Sequence, residues 1–223
     1  MVTNSRLRRL SKEDRRTNII EVAHQVFARD GYGGTSMSGI AAALGGSKAT
    51  LYKYFDAKEP LFEAVMLECC KGLFADFQSA SFNQEDVRTY LIEAGSRLLA
   101  AMLKGSALDI SRLIFSEGAR HPEIARIFYV NGLDPAYAAV AERLAYFHSS
   151  GQISCPEPII AAKQFIALVR GDIHLRAICG LGVPIDHAQL RAHVEQSVSI
   201  FLAGVAPGAI GNVINNIHRK AVS

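Results

Sequence analysis

The sequence predicts an all-α fold, an N-terminal three-helix unit followed by a larger helical part. Three observations carry this. Apolar residues recur at three- and four-residue spacing along most of the chain. The periodic segments stop at glycines, prolines or Asp-Pro steps. The two-residue alternation of half-buried strands is absent. The 223 residues allow one or two domains, and 49% hydrophobic against 20% charged residues excludes a disordered chain.

The elements follow in order. Residues 12–30 place Ile19, Ile20, Ala23, Val26 and Phe27 on one stripe, and Gly31, Gly33 and Gly34 stop the helix. A short helix follows at 36–44, capped by Thr35 or Ser36, with Met37, Ile40, Ala41 and Leu44 inward. Gly45-Gly46-Ser47 supplies a turn and a cap for a second short helix at 48–54. Asp56 three residues before Glu59 resembles a capping box and opens a long helix at 57–80. Further helices are expected at 84–104, 107–119, 122–131, 135–150, 157–179 and 187–204. Pro135 and Pro158 fall in first turns, where a missing N–H costs least. The domain boundaries are placed at 1–56, 57–204 and a C-terminal extension, 205–223.

Several function classes are excluded. Cys69, Cys70, Cys155 and Cys179 form no C-x-x-C pair and read as free thiols of a reducing cytoplasm, with a redox-sensing role for Cys69 and Cys70 as the alternative. No apolar run approaches the ~18 residues of a membrane helix, and the basic start has no apolar core of a signal peptide. A cytoplasmic location with no membrane partner is therefore expected. The histidines form no metal-binding pattern, and no nucleophile elbow, phosphate loop or dinucleotide fingerprint occurs. Catalytic residues, metal ligands and cofactors are all expected to be none, and the chain is not expected to be an enzyme.

Charge is distributed unevenly. Residues 1–60 hold ten Lys/Arg against six Asp/Glu, while the rest of the chain is near neutral. Such asymmetry suggests an anionic partner for the first quarter. Two short helices joined by a glycine-containing turn, as at 36–54, match the helix-turn-helix that reads a DNA major groove, although such units also occur in proteins that bind no DNA. Lys48, Thr50, Tyr52, Lys53 and Tyr54 point outward on its second helix, whereas Leu51 and Phe55 point in. Arg6, Arg8, Arg9, Lys12, Arg15 and Arg16 form an upstream basic arm suited to counterion release. Half-buried packing is the competing reading for Tyr52 and Tyr54.

The wording of this segment is more specific. IIEVAHQVFARDGYGG (19–34) and TSMSGIAAALGGSKATLYKYFDAKEPLFEAV (35–65) together resemble the N-terminal domain of TetR-family transcriptional regulators. The resemblance rests on Ala23, Phe27, Gly31, Thr35, Ile40-Ala41, Gly45, Ser47, Leu51-Tyr52, Phe55, Lys58 and Leu61-Phe62. It implies a homodimeric, ligand-responsive repressor with DNA contacts at Ser36, Ser38, Lys48, Thr50, Tyr52, Tyr54 and Lys58; Ser47 and Lys53 complete the candidate set. The expected target is quasi-palindromic double-stranded operator DNA. Gly46 departs from the family, which usually carries a branched apolar residue there, and Pro60 is also unusual.

The stretch RLIFSEGARHPEIARIFYVNG (112–132) is similar to the regulatory domain of the AefR-like subgroup. That resemblance implies a dimer built through helices 157–179 and 187–204, and middle helices that enclose a small, largely apolar effector. Candidate pocket residues are Met66, Cys70, Phe74, Met102, Arg112, Phe115, Phe128, Phe165, Arg170 and His174, with Glu117, Arg120 and His121 as further polar groups. For any one of them, ordinary core packing, or a solvated surface or helix-end ion pair for the charges, is the favoured reading. The helix at 57–80 joins the two parts and is expected to pivot when the effector binds. A ligand-independent architectural DNA binder, and an enzyme or carrier built on a helical bundle, are the alternatives.

Overall fold

A computed structural model describes residues 11–78, 86–182 and 186–206, and the side chains of these residues except 71–78. The described residues form α1 (Lys12–Gly34), α2 (Met37–Ala43), α3 (Lys48–Tyr52), α4 (Lys58–Gln78), α5 (Val87–Met102), α6 (Gly105–Glu117) and α7 (Pro122–Phe128). A π turn (Tyr129–Leu133) leads into α8 (Asp134–Ser149), followed by α9 (Pro158–Ile178) and α10 (His187–Gly204). No strand occurs among them. The basic-arm residues Arg6, Arg8 and Arg9, and the extension beyond residue 206, lie outside the described residues.

The chain folds into two compact units. The first holds the described residues up to Lys71 together with Gly105–Gly132; the second holds those of Gly72–Lys104 and from Leu133 onward. In the first, α1 packs on α6 and α2, and α3 on α2. The stripe read from the sequence, Ile19, Ile20, Ala23, Val26 and Phe27, is buried with Ile40, Leu51, Phe55, Leu61, Phe62 and Val65. Ile110, Leu113, Ile124 and Ile127 share this core, so α6 and α7 pack with the N-terminal helices. In the second unit α5, α8, α9 and α10 pack around Tyr90, Leu99, Leu144, Phe147, Phe165, Val194 and Val198. Fully burying each such side chain contributes about 1.5–3 kcal/mol.

Local chemistry sets the ends. Ser11 and Asp14 form a reciprocal capping box at the start of α1. Ser36, not Thr35, caps α2; the buried Thr35 instead donates its hydroxyl to the Gly31 carbonyl at 2.6 Å. The α2–α3 turn needs glycine at Gly45, where φ is +63°. At Gly46 a Cβ would meet nothing within 4 Å, so no packing depends on the residue the family usually has there. Pro60 is exposed in the first turn of α4, where its missing N–H is one that has no intrahelical partner. Pro135 likewise has no N–H for the carbonyl four residues before it, and the chain widens into the π turn just upstream.

Candidate nucleic-acid interface

Helix α3 is short and one-sided. Leu51 is buried and anchors it, while Lys48, Thr50, Tyr52 and Lys53 are exposed. No acidic residue occurs between Ser36 and Phe55, so this surface is cationic and rich in hydroxyls. The helix ends at Tyr52, earlier than the expected 54, and Tyr54 and Phe55 continue in a turn whose amides bond to the Leu51 carbonyl at 3.0 Å. Ser47 caps α3: its hydroxyl accepts from the Thr50 amide at 3.2 Å and lies 3.0 Å from the Thr50 hydroxyl. Ser36 does the same for the Gly39 amide of α2 at 3.1 Å. Both serines thus have a structural duty on an exposed surface, and Ser38 is exposed beside them. Tyr54 is half-buried against the core, so the packing reading applies to it more than to Tyr52, which is 49% exposed. Arg16 of the arm lies 5.3 Å from the Phe55 ring and is held by the fold.

Lys58 is placed differently from the surface site expected of it. Its ammonium turns inward and donates to the carbonyls of Tyr32 at 2.7 Å and Thr35 at 3.0 Å. It also stands 4.2 Å from the Tyr32 ring. Burial lowers its pKa, with Glu117 and Glu123 opposing that shift. The start of α4 is therefore tied to the end of α1 by a cation.

Glu117 was not among the expected interface residues. It accepts from the backbone amides of Tyr32 at 3.1 Å and Gly33 at 2.7 Å. His121, 3.9 Å from the same carboxylate, stacks edge-on against Tyr32 with centroids 5.2 Å apart. The sequence suggests both as polar groups of an effector pocket; their described partners are at the end of α1 and at Glu123, 3.4 Å from His121. Burial among Phe27, Phe62 and His121 pushes the Tyr32 hydroxyl pKa up to about 12. The only sequence hint was the run of glycines facing Glu117 and His121, because close backbone approach needs a missing Cβ.

The candidate effector residues fall in both units. In the first, Met66, Cys70 and Phe128 gather around Gly132, each with an atom within 3.8 Å of where its Cβ would stand. Arg112 is exposed and paired with Asp109 at 3.7 Å, and Phe115 is 60% exposed. In the second, Phe165 is fully buried against Phe201 and Gly95, Met102 packs on the same core, Arg170 is half-buried and His174 is 3% exposed. The Phe74 side chain lies outside the described residues. Burial pushes the thiols of Cys69 and Cys70 up to about 12 and about 11, which leaves them poor nucleophiles. Among the described residues no group of acidic, histidine or cysteine side chains is disposed to hold a metal, and no helix is long and apolar enough to cross a membrane.

Comparison with known proteins agrees with this geometry. Residues 19–65 match the family described as bacterial regulatory proteins, tetR family, and residues 89–205 match the AefR-like transcriptional repressor C-terminal domain. The HTH-type transcriptional repressor NicS of Pseudomonas putida is 29% identical over 166 residues, 74% of this chain and 71% of its own. The crystal structure of a TetR-family transcriptional regulator from Mesorhizobium loti superposes with a TM-score of 0.76 at 27% identity, over 89% of this chain and 100% of that one. The flavonoid-responsive regulator FrrA superposes with a TM-score of 0.72 at 31% identity, over 86% and 98%. All three are regulators rather than enzymes. With both halves matched and the helix-turn-helix in place, this chain belongs to the TetR family of transcriptional regulators, with a C-terminal part of the AefR-like kind.

Proposed function

We propose that the chain acts as a homodimeric repressor that leaves its operator when a small, largely apolar effector binds. The observation that carries the DNA half is the exposed Lys48–Thr50–Tyr52–Lys53 face of α3, cationic and free of carboxylates, on a helix anchored by buried Leu51. A dimer presents two such faces to successive major grooves, about 34–36 Å apart or somewhat further on a quasi-palindrome. The contact set is Lys48, Thr50, Tyr52 and Lys53, with Ser36, Ser38, Ser47 and Tyr54 at its edge. Phosphate contacts from the lysines make the affinity fall with salt.

The dimer reading is supported by the second unit. Helices α9 and α10 leave apolar side chains exposed: Ile160 and Leu175 on one, Ile200 on the other. A groove of about 500 Å³ is lined by Gln164, Ala167, Leu168, Ile200 and Phe201. A second copy that covers this face hides surface a lone chain leaves in water. The effector reading is supported by the apolar set Met66, Cys70 and Phe128, and by the flavonoid response named for FrrA. Ligand sites of this kind are apolar with a few placed polar groups.

The test is a gel shift on a duplex selected from a random pool by the wild-type protein. Lys48→Ala with Tyr52→Ala is expected to lose binding about 100-fold or more while the dimer persists in sedimentation. Unchanged shifts would sink the α3 assignment. Ile200→Arg is expected to yield monomers. A flavonoid panel, scored together for raised melting temperature and lowered operator affinity, tests the effector, because the coupling must be reciprocal.

A further inference from the structure

We infer that Glu117 is a positioning residue for operator binding: its two carboxylate oxygens hold the end of α1, and through it the α2–α3 pair, in one orientation on α6. The inference rests on the DNA-reading role of α3.

The geometry is a backbone nest filled by the chain's own anion. Gly31 breaks α1 with φ +74° and ψ 169°, which frees the next two amides from the helical pattern. Successive amides turned to one side form a concavity that binds an anion. Tyr32 N–H donates to Oε1 and Gly33 N–H to Oε2, from positions 85 and 84 residues away in sequence. A Cβ on Gly31 would collide with Oε1, and one on Gly33 would stand 3.2 Å from Oε2 and 3.0 Å from the His121 ring. Both glycines are therefore matched to this carboxylate.

The opposite side of the same peptide segment is gripped too. Lys58 donates to the carbonyls of Tyr32 and Thr35, so residues 32–35 lie between a carboxylate and an ammonium. Ser36 then caps α2 directly. No slack chain separates the clamp from the helix-turn-helix, so an altered clamp changes the angle of α2 and α3 before it changes their internal structure.

Two N–H donors need two acceptors. Glutamine has the size of glutamate but only one acceptor, and its NH₂ would face an N–H. Glu117→Gln therefore separates this clamp from mere space filling.

The experiment measures binding to the selected duplex by fluorescence anisotropy. Glu117→Gln is expected to weaken binding about fivefold, and Glu117→Ala about tenfold or more. Sedimentation should still show the wild-type assembly. Hydrogen exchange is expected to rise at the Tyr32 and Gly33 amides while amides within α2 and α3 keep their protection. Gly31→Ala should weaken binding more in the wild-type background than in Glu117→Ala, where the collision is gone and only the left-handed strain remains. Binding within twofold of wild type for both Glu117 variants, or strict additivity with Gly31→Ala, overturns the inference. If Glu117→Ala fails to fold, Glu117→Gln alone decides. Lys48→Ala with Tyr52→Ala, run in parallel, tells failure of the clamp from failure of the α3 reading: its loss of binding beside unchanged Glu117 variants sinks the clamp only.

Discussion

Two helices of this molecule, one in each unit, are broken at a glycine, and the two breaks are repaired by opposite chemistry. In α1 the break is at Gly31; in α9 it is at Gly171, with φ +47° and ψ −153°. At Gly31 the groups left over are the amides of Tyr32 and Gly33, and a carboxylate takes them. At Gly171 the carbonyls of Leu168 and Val169, in the turn before the break, meet side chains of α10. The Ser197 hydroxyl is shared between the first, at 3.2 Å, and the His193 carbonyl of its own helix, at 2.9 Å, and a His193 ring nitrogen lies 2.9 Å from the second. The first break is thus held by charged side chains, Glu117 and Lys58, and the second by two side chains of α10 that need no charge. Freed N–H groups attract an anion and freed carbonyls a donor, so the side of the break that faces a neighbouring helix selects the clamp. The charged clamp lies beside the DNA-reading helices. The other joins the two helices proposed to form the dimer.

The comparison breaks most severely at Gly171. Its backbone conformation is one that glycine alone adopts readily, and a Cβ there would stand 2.9 Å from the His193 ring. Gly171→Ala is expected to cost about 3 kcal/mol, read as a lowered denaturant midpoint. A neutral outcome would mean that α9 straightens without penalty, and the two breaks would no longer be equivalent.

Next in size is Lys58→Met. The stem is kept, the Thr35 carbonyl loses the ammonium, and the Tyr32 carbonyl keeps only the Thr35 amide at 3.3 Å, at a cost of about 1–3 kcal/mol. Its melting temperature should fall clearly. A fall no larger than that of an exposed lysine, such as Lys53→Met, would return Lys58 to the surface role read from the sequence.

Ser197→Ala is smaller. It removes the hydroxyl shared between the Leu168 and His193 carbonyls while the kink persists, and about 0.5–1.5 kcal/mol is expected in the same unfolding assay. A loss as large as that of Lys58→Met would remove the distinction between charged and neutral repair.

How much of this was legible depended on the range of the interaction. The inward stripe from Ile19 to Phe27, the turn at Gly45 and the outward face of α3 follow from spacing of a few residues, and each is where the periodicity puts it. Lys58 was not legible, because a lysine at the start of a helix looks the same whether it faces phosphate or a carbonyl. Glu117 was not legible because its partners are backbone amides 85 and 84 residues away, and the glycines that admit it do not say which side chain comes close. Gly171 sits inside an apolar helical run and gives no sign of positive φ. The sharing of one core by α1 and α6 was hidden for the same reason: periodicity identifies a buried face but not what buries it.

The smallest expected effect, near neutral pH, concerns His174 beside the break in α9. His174, one turn beyond Gly171 on α9, is 3% exposed, and its Nε2 has no hydrogen-bond partner among the described residues. Burial, assisted by Arg170, lowers its pKa from 6.5 to about 4. The unfolded chain therefore takes up this proton at a higher pH than the folded one. Stability is undiminished above about pH 6.5 and is lost as pH falls from there toward 4, by at most about 1.4 kcal/mol per pH unit. Between about pH 7 and pH 6 the loss is under 1 kcal/mol. His174→Phe is expected to flatten the stability profile over this window, because phenylalanine fills the site without a proton to gain. If the profile of His174→Phe still falls as steeply as that of wild type, a group other than His174 carries the pH dependence.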